Sequence, residues 1–130
     1  MAARQRQTYG EEVANVLTHG AGMLFGMTAI IILMMAAIRS GNPWAIGSFA
    51  VYAVCMTLSY VTSTFYHAST HARQKRLLRR FDHGAIYLHI AGTYTPFTLL
   101  ALRQEGYWGW SLFAVIWIAA VAGVWLSFGK

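Results

Sequence analysis

Residues Ser63 to Phe97 read STFYHASTHARQKRLLRRFDHGAIYLHIAGTYTPF, and this stretch lies between long apolar regions of the chain. Its 35 residues contain four of the five histidines, the only aspartate and five of the ten Lys and Arg residues. Ionisable groups next to membrane spans are energetically expensive and are usually functional. The stretch therefore predicts a chemical site rather than an inert membrane anchor.

The composition on either side of this stretch is that of a membrane protein. The chain has 130 residues, of which 57% are hydrophobic and 11% are charged, whereas soluble domains carry about 25% charged residues. A single cysteine, Cys55, excludes a disulfide within one chain. Because backbone polar groups in lipid must be satisfied internally, helices are the expected structure.

Four windows of the sequence contain no Asp, Glu, Lys or Arg, and each is long enough to cross a bilayer. They cover residues 13–38, 40–72, 83–102 and 106–129, and a span needs about 20 mostly apolar residues. We predict an all-α, multi-pass bundle in a single membrane domain, with spans at about 20–38, 44–66, 82–102 and 108–128. The segment 10–19 is predicted to form a short interfacial helix before the first span. Pro96 predicts a kink or an early end in the third span.

The positive charges that give the net charge of +6 lie in short segments outside the predicted spans. Their distribution therefore indicates membrane topology rather than nucleic-acid binding. Seven of the ten basic side chains lie in the N-terminal tail and in the second connection, namely at Arg4, Arg6, Arg73, Lys75, Arg76, Arg79 and Arg80. The first connection carries only Arg39, and the third carries Arg103 beside Glu105. Cytoplasmic loops favour Lys and Arg, so we predict a cytoplasmic N-terminus and Lys130 on the same side. The basic run of the second connection, predicted as a loop over 71–80, is also expected to contact anionic lipid headgroups.

A polar stripe marks the predicted cytoplasmic end of the second span. Ser63 and His67 are four residues apart and share one helix face, while Asp82 begins the third span. Antiparallel neighbouring spans would bring these three side chains within reach of one another at one membrane depth. A neutral imidazole is a common Zn²⁺ ligand, and a carboxylate and a hydroxyl could orient a zinc-bound water. The alternative is a hydrogen bond from His67 to Ser63 or Asp82 that only tethers two helices.

Three blocks of the sequence resemble the hemolysin III family of bacterial membrane proteins, part of the progestin and adipoQ receptor superfamily. The blocks are EEVANVLTHGAG (11–22), STFYH (63–67) and FDHGAIYLHIAGTYTPF (81–97). The resemblance implies a seven-helix fold in the bacterial inner membrane with a zinc site near the cytoplasmic face. In the superfamily a histidine on span two and an HxxxH pair on span seven hold the zinc.

Carried over by motif, the resemblance assigns His67 as a zinc ligand and assigns Ser63 and Asp82 as catalytic partners that orient water. The arrangement is similar to that of alkaline ceramidases and implies metal-dependent hydrolysis of a lipid amide or ester, or lipid sensing. The chain matches only the first four spans and lacks the HxxxH pair. We therefore expect it to be an N-terminal fragment or a truncated gene product. We expect this portion alone to lack tight zinc binding and hydrolase activity.

Two other functions remain open at this point. One is a cytolysin or pore-forming hemolysin, as the family name indicates, and the other is a non-enzymatic role in membrane-lipid homeostasis. Glu11, Asn15 and His19 are spaced four residues apart and share one face of the interfacial helix. Glu12, Asn15 and His19 belong to the first block, and they either cap and solubilise this helix or, as the resemblance implies, line the cytoplasmic mouth of a cavity. His71, His83 and His89 are interpreted as solvent-exposed or structural residues. Membrane lipids and further copies of the chain are candidate partners, and no nucleic-acid partner is expected.

Overall fold

A computed structural model describes residues 8–129 of the chain, and these residues form four α-helices and one π-helical turn. In chain order they are α1 (Tyr9–Ser40), α2 (Pro43–Ala68), α3 (Ala72–Pro96), the π turn (Phe97–Ala101) and α4 (Trp108–Phe128). The charges at Arg4, Arg6 and Lys130, which supported the predicted topology, lie outside the described residues.

Consecutive helices pack side by side, α1 on α2, α2 on α3 and α3 on α4, whereas α1 and α4 of the described chain do not touch. The ring centroids of Phe81 and Phe128 are 5.1 Å apart at one end of the bundle. Those of Trp44 and Trp110 are 5.8 Å apart at the other. The helices therefore alternate in direction, so that α1 and α3 begin where α2 and α4 end. We call this end the Glu12 end.

The sequence explains where α1 and α2 begin. The Thr8 hydroxyl accepts a hydrogen bond from the Glu11 backbone N–H, and the Glu11 carboxylate accepts one from the Thr8 N–H at 2.6 Å, which completes a capping box. Asn42 accepts a hydrogen bond from the Trp44 N–H at 3.0 Å. Pro43 follows at the first helical position, where its missing N–H leaves no hydrogen bond unmade.

The N-terminal segment does not form a separate interfacial helix, because α1 runs without interruption from Tyr9 to Ser40. Its 32 residues extend over about 48 Å at 1.5 Å per residue, which exceeds the roughly 30 Å hydrocarbon core of a bilayer. The predicted interfacial helix is thus the first part of α1. Its polar residues project beyond the apolar part of the same helix.

The basic connection predicted at 71–80 is helical, since α3 begins at Ala72. Arg, Gln, Lys and Leu are strong helix formers, and they fill the run from Arg73 to Arg80. The link between α2 and α3 therefore shortens to residues 69–71. The expected break at Pro96 is present, since the α-helix ends there and continues as a π turn, in which the Leu102 N–H bonds to the Phe97 carbonyl.

Three of the described helices, α1, α2 and α4, are long and apolar enough to cross a membrane. The sequence predicted a fourth span at 82–102, but α3 does not meet this criterion. Its first turns carry the basic run, and its remaining part is interrupted by His83 and His89. The all-helical membrane fold is confirmed, while the crossing of α3 and the expected total of seven helices stay predictions.

Small residues allow α2, α3 and α4 to approach closely, as in other membrane bundles. A Cβ atom added at Gly92 of α3 would lie 2.5 Å from Cβ of Cys55 on α2. The Trp117 indole on α4 donates a hydrogen bond at 3.1 Å to the hydroxyl of Thr95, which is buried on α3. Large apolar side chains such as Leu24 and Phe25 are exposed instead, as expected for surfaces in contact with lipid.

Candidate functional site

His67 is the centre of a polar cluster at the Glu12 end. It lies in the last turns of α2, and only 9% of its side chain is exposed. Its Nδ1 is 2.7 Å from Oε2 of Glu12 on α1. Because the carboxylate can only accept, the imidazole N–H is the donor in this bond.

Glu12 joins three helices through its two carboxylate oxygens. Oε2 bonds to His67 of α2, and Oε1 accepts a hydrogen bond and ion pair from the Lys75 ammonium of α3. The Glu12 side chain is 17% exposed and that of Lys75 is 28% exposed. Such partly buried, hydrogen-bonded pairs are stronger than exposed ion pairs. The carboxylate is therefore fixed in position where the three helices meet.

Further polar and aromatic rings extend from His67 into the bundle. The ring centroids of His67 and His19 are 5.9 Å apart, and those of His19 and Tyr60 are 6.1 Å apart. The ring centroid of Tyr60 is in turn 6.1 Å from that of His89 on α3. His89 lines a cavity of about 280 Å³ together with Ser59, Ile86, Ile90, Thr93 and Tyr94. A series of ring contacts thus runs from the Glu12 end towards the middle of the helices.

The structure keeps Ser63 beside His67 but gives His67 another partner in place of Asp82. Ser63 is buried, with 4% of its surface exposed, one turn before His67 on α2. The Asp82 carboxylate lies 3.2 Å from Nδ1 of its neighbour His83 and is 13% exposed. The carboxylate that bonds to His67 is that of Glu12. The assignment of Ser63 and Asp82 as catalytic groups stays a prediction.

Sequence reasoning did not identify Glu12 and Lys75 as partners of His67. The predicted polar face of the N-terminal segment was Glu11, Asn15 and His19, and Glu12 was assigned with Asn15 and His19 either to solubility or to a cavity mouth. In the structure Glu12 and Asn15 lie next to His67, since Asn15 Nδ2 is 3.4 Å from His67 Nδ1, whereas Glu11 bonds to Thr8. Lys75 was assigned to lipid headgroups, but its ammonium bonds to Glu12 and lies 5.3 Å from the centre of the Tyr66 ring.

The donor set of the described residues does not complete a metal site. No group of three or more His, Cys, Asp or Glu side chains within residues 8–129 is arranged to hold a metal ion. A catalytic zinc typically has three protein ligands. One feature of the cluster does fit a metal-binding histidine, because such a histidine usually donates its other ring N–H to a carboxylate or carbonyl.

Comparison with known proteins identifies the family of the chain. The model of the Haemolysin-III related family matches residues 7–130. Hemolysin-3 of Bacillus cereus is 46% identical over 121 residues, which cover 93% of this chain and 54% of that protein. The Hemolysin-3 homolog of Bacillus subtilis (strain 168) is 43% identical over 117 residues, which cover 90% of this chain and 54% of that protein.

The chain thus spans about half the length of these two relatives. No solved structure matches it significantly. Both relatives are bacterial, and the long apolar helices described above are those of a membrane protein. The family match over nearly the whole sequence therefore establishes that this chain belongs to the Haemolysin-III related family of membrane proteins.

Proposed function

We propose that this chain is the part of a hemolysin III protein that supplies His67 to a zinc centre. In the complete protein the centre would serve hydrolysis of a lipid amide or ester, or lipid sensing. The observation that supports this most is the geometry of His67, a nearly buried imidazole whose Nδ1 is bonded to a carboxylate. Its Nε2 is then available as a ligand atom.

The roles of the remaining residues follow from their positions. A bound zinc supplies a Lewis acid and a water of lowered pKa. Ser63 lies one turn from His67 and would hydrogen-bond that water, and Asp82 would accept its proton. The further zinc ligands would come from the part of the full-length relatives that this chain does not match, since the described residues hold no complete ligand set.

The proposed placement has the Glu12 end at the cytoplasmic face of the bacterial inner membrane. Support comes from the basic run at the start of α3, since cytoplasmic segments favour Lys and Arg. In this placement α3 crosses the bilayer between α2 and α4, and the complete protein has seven helices. The other basic residues of the run, Arg73, Arg76, Arg79 and Arg80, would face anionic headgroups, each contributing about 1 kcal/mol.

The zinc function is tested on a full-length relative such as the Bacillus cereus protein. We expect the protein purified without added metal to contain stoichiometric zinc by plasma mass spectrometry. We also expect it to hydrolyse a labelled long-chain amide or ester in mixed micelles. A strong chelator should remove both zinc and hydrolysis, and added zinc should restore both. Purified protein free of zinc would exclude the zinc centre, whereas zinc without hydrolysis would favour lipid sensing.

The second candidate function, a pore-forming hemolysin, is favoured by the printed names of the two relatives. It needs no metal site, and neither does a non-enzymatic role in membrane-lipid homeostasis. We expect the full-length relative not to release dye from loaded vesicles. Leakage that persists after replacement of the histidine that aligns with His67 would favour the pore instead. A zinc-free protein that causes no leakage would favour the homeostasis role.

A further inference from the structure

We infer that Glu12 is a positioning residue, which holds the Nδ1–H of the His67 ring in a hydrogen bond and thereby directs Nε2 towards a ligand. The inference rests on the proposed role of His67 as a zinc ligand. It assigns a function to a carboxylate that lies 55 residues away in the sequence. It also predicts which of the two ring nitrogens faces the ligand.

The two polar neighbours of Nδ1 favour opposite tautomers of the His67 ring. The ionised Glu12 carboxylate can only accept a hydrogen bond, so it requires a proton on Nδ1, whereas the Asn15 Nδ2 can only donate and requires a bare Nδ1. The Glu12 oxygen is 2.7 Å away and the Asn15 nitrogen is 3.4 Å away. A short bond to a charged acceptor is stronger than a long bond between neutral groups, so the proton resides on Nδ1.

Nε2 lies on the side of the ring opposite the edge between Nδ1 and Glu12. Among residues 8–129, no side chain or backbone group forms a hydrogen bond with Nε2 of His67. A neutral imidazole with its proton on Nδ1 carries its lone pair on Nε2. Glu12 therefore turns the lone pair away from α1.

The carboxylate is itself held in place, as a positioning group must be. Lys75 bonds to the oxygen that His67 does not use, so both carboxylate oxygens are engaged by neighbouring helices. Glu12 and Asn15 are three residues apart and lie on one face of α1. Removal of Glu12 would leave the Asn15 amide as the nearest group at Nδ1, and the amide would then draw the ring into the other tautomer.

The tautomer can be read directly in the present chain without any metal. We propose to label the histidines with ¹⁵N, reconstitute the metal-free chain in lipid nanodiscs, and record long-range ¹H–¹⁵N correlations at mildly alkaline pH. The parent chain should show His67 protonated on Nδ1. Glu12→Ala should shift the proton to Nε2. Asn15→Ala should keep it on Nδ1, and so should Glu11→Ala, which removes a neighbouring carboxylate that bonds to Thr8 rather than to His67.

The parent spectrum alone tests the inference, even if a variant does not fold. A parent ring protonated on Nε2, or on both nitrogens, overturns it, and so does a Glu12→Ala ring that remains protonated on Nδ1. In a full-length relative, the corresponding change should weaken zinc binding by about 10–100-fold, as for other hydrogen-bond partners of metal ligands. A correct tautomer in a protein that binds no zinc would reject the proposed function and leave the role of Glu12 standing.

Discussion

Replacement by alanine of the histidine that aligns with His67 should remove zinc from a full-length hemolysin III protein and abolish any hydrolysis. Loss of a hydrogen-bond partner of a zinc ligand lowers the affinity for zinc by about 10–100-fold. Loss of the ligand itself should lower the affinity for zinc further. Isothermal titration with zinc and metal analysis of the purified protein measure the effect.

The matched control for this variant is His71→Ala. His71 lies four residues further along, is exposed, and does not cap α3 with its side chain. We expect zinc content and hydrolysis to be unchanged in this control. Equal zinc content in the two variants would remove His67 from the ligand set. The buried bond between His67 and Glu12 would then be a tether between α1 and α2, the alternative that the sequence left open.

Gly92→Ala should destabilise the bundle, although alanine is the better helix former. The added Cβ would lie 2.5 Å from Cβ and 3.0 Å from Sγ of Cys55 on α2. Cβ of Cys55 is fixed to the backbone, so α2 and α3 must move apart to relieve the contact. Overpacking of this kind costs about 1–3 kcal/mol. Denaturation of the chain in mixed micelles, followed by circular dichroism, measures the loss.

Two further variants separate close packing from a general effect of the substitution. Gly47→Ala makes the same change on α2 at a position where an added Cβ meets no atom within 4 Å, and we expect no loss of stability. The double variant Cys55→Gly with Gly92→Ala moves the Cβ across the interface and should recover part of the stability. A Gly92→Ala protein as stable as the Gly47→Ala protein would contradict the close contact between α2 and α3.

Local sequence signals predicted the helices well where one physical rule acts on neighbouring residues. Span four was predicted at 108–128 and α4 is Trp108–Phe128, because the turn and the apolar run define both ends. The prediction failed for the basic run before Asp82. Its charges were taken as a sign of a loop, but Arg, Lys and Leu favour a helix and polar headgroups can solvate their side chains. The spacing of apolar residues cannot predict whether such a charged segment is helical.

The sequence was sufficient to determine an all-helical membrane protein, its family and a histidine at one end of α2. These properties depend on composition, on the length of apolar runs and on contiguous motifs, all of which act locally along the chain. The partner of that histidine was decided by the packing of the helices. Asp82 is nearer to His67 in sequence than Glu12 is, yet it is Glu12 that bonds to His67. The reason is that α1 extends beyond its apolar part and places its first turns against the end of α2. Contacts between distant segments depend on helix length and rotation, which no local pattern encodes.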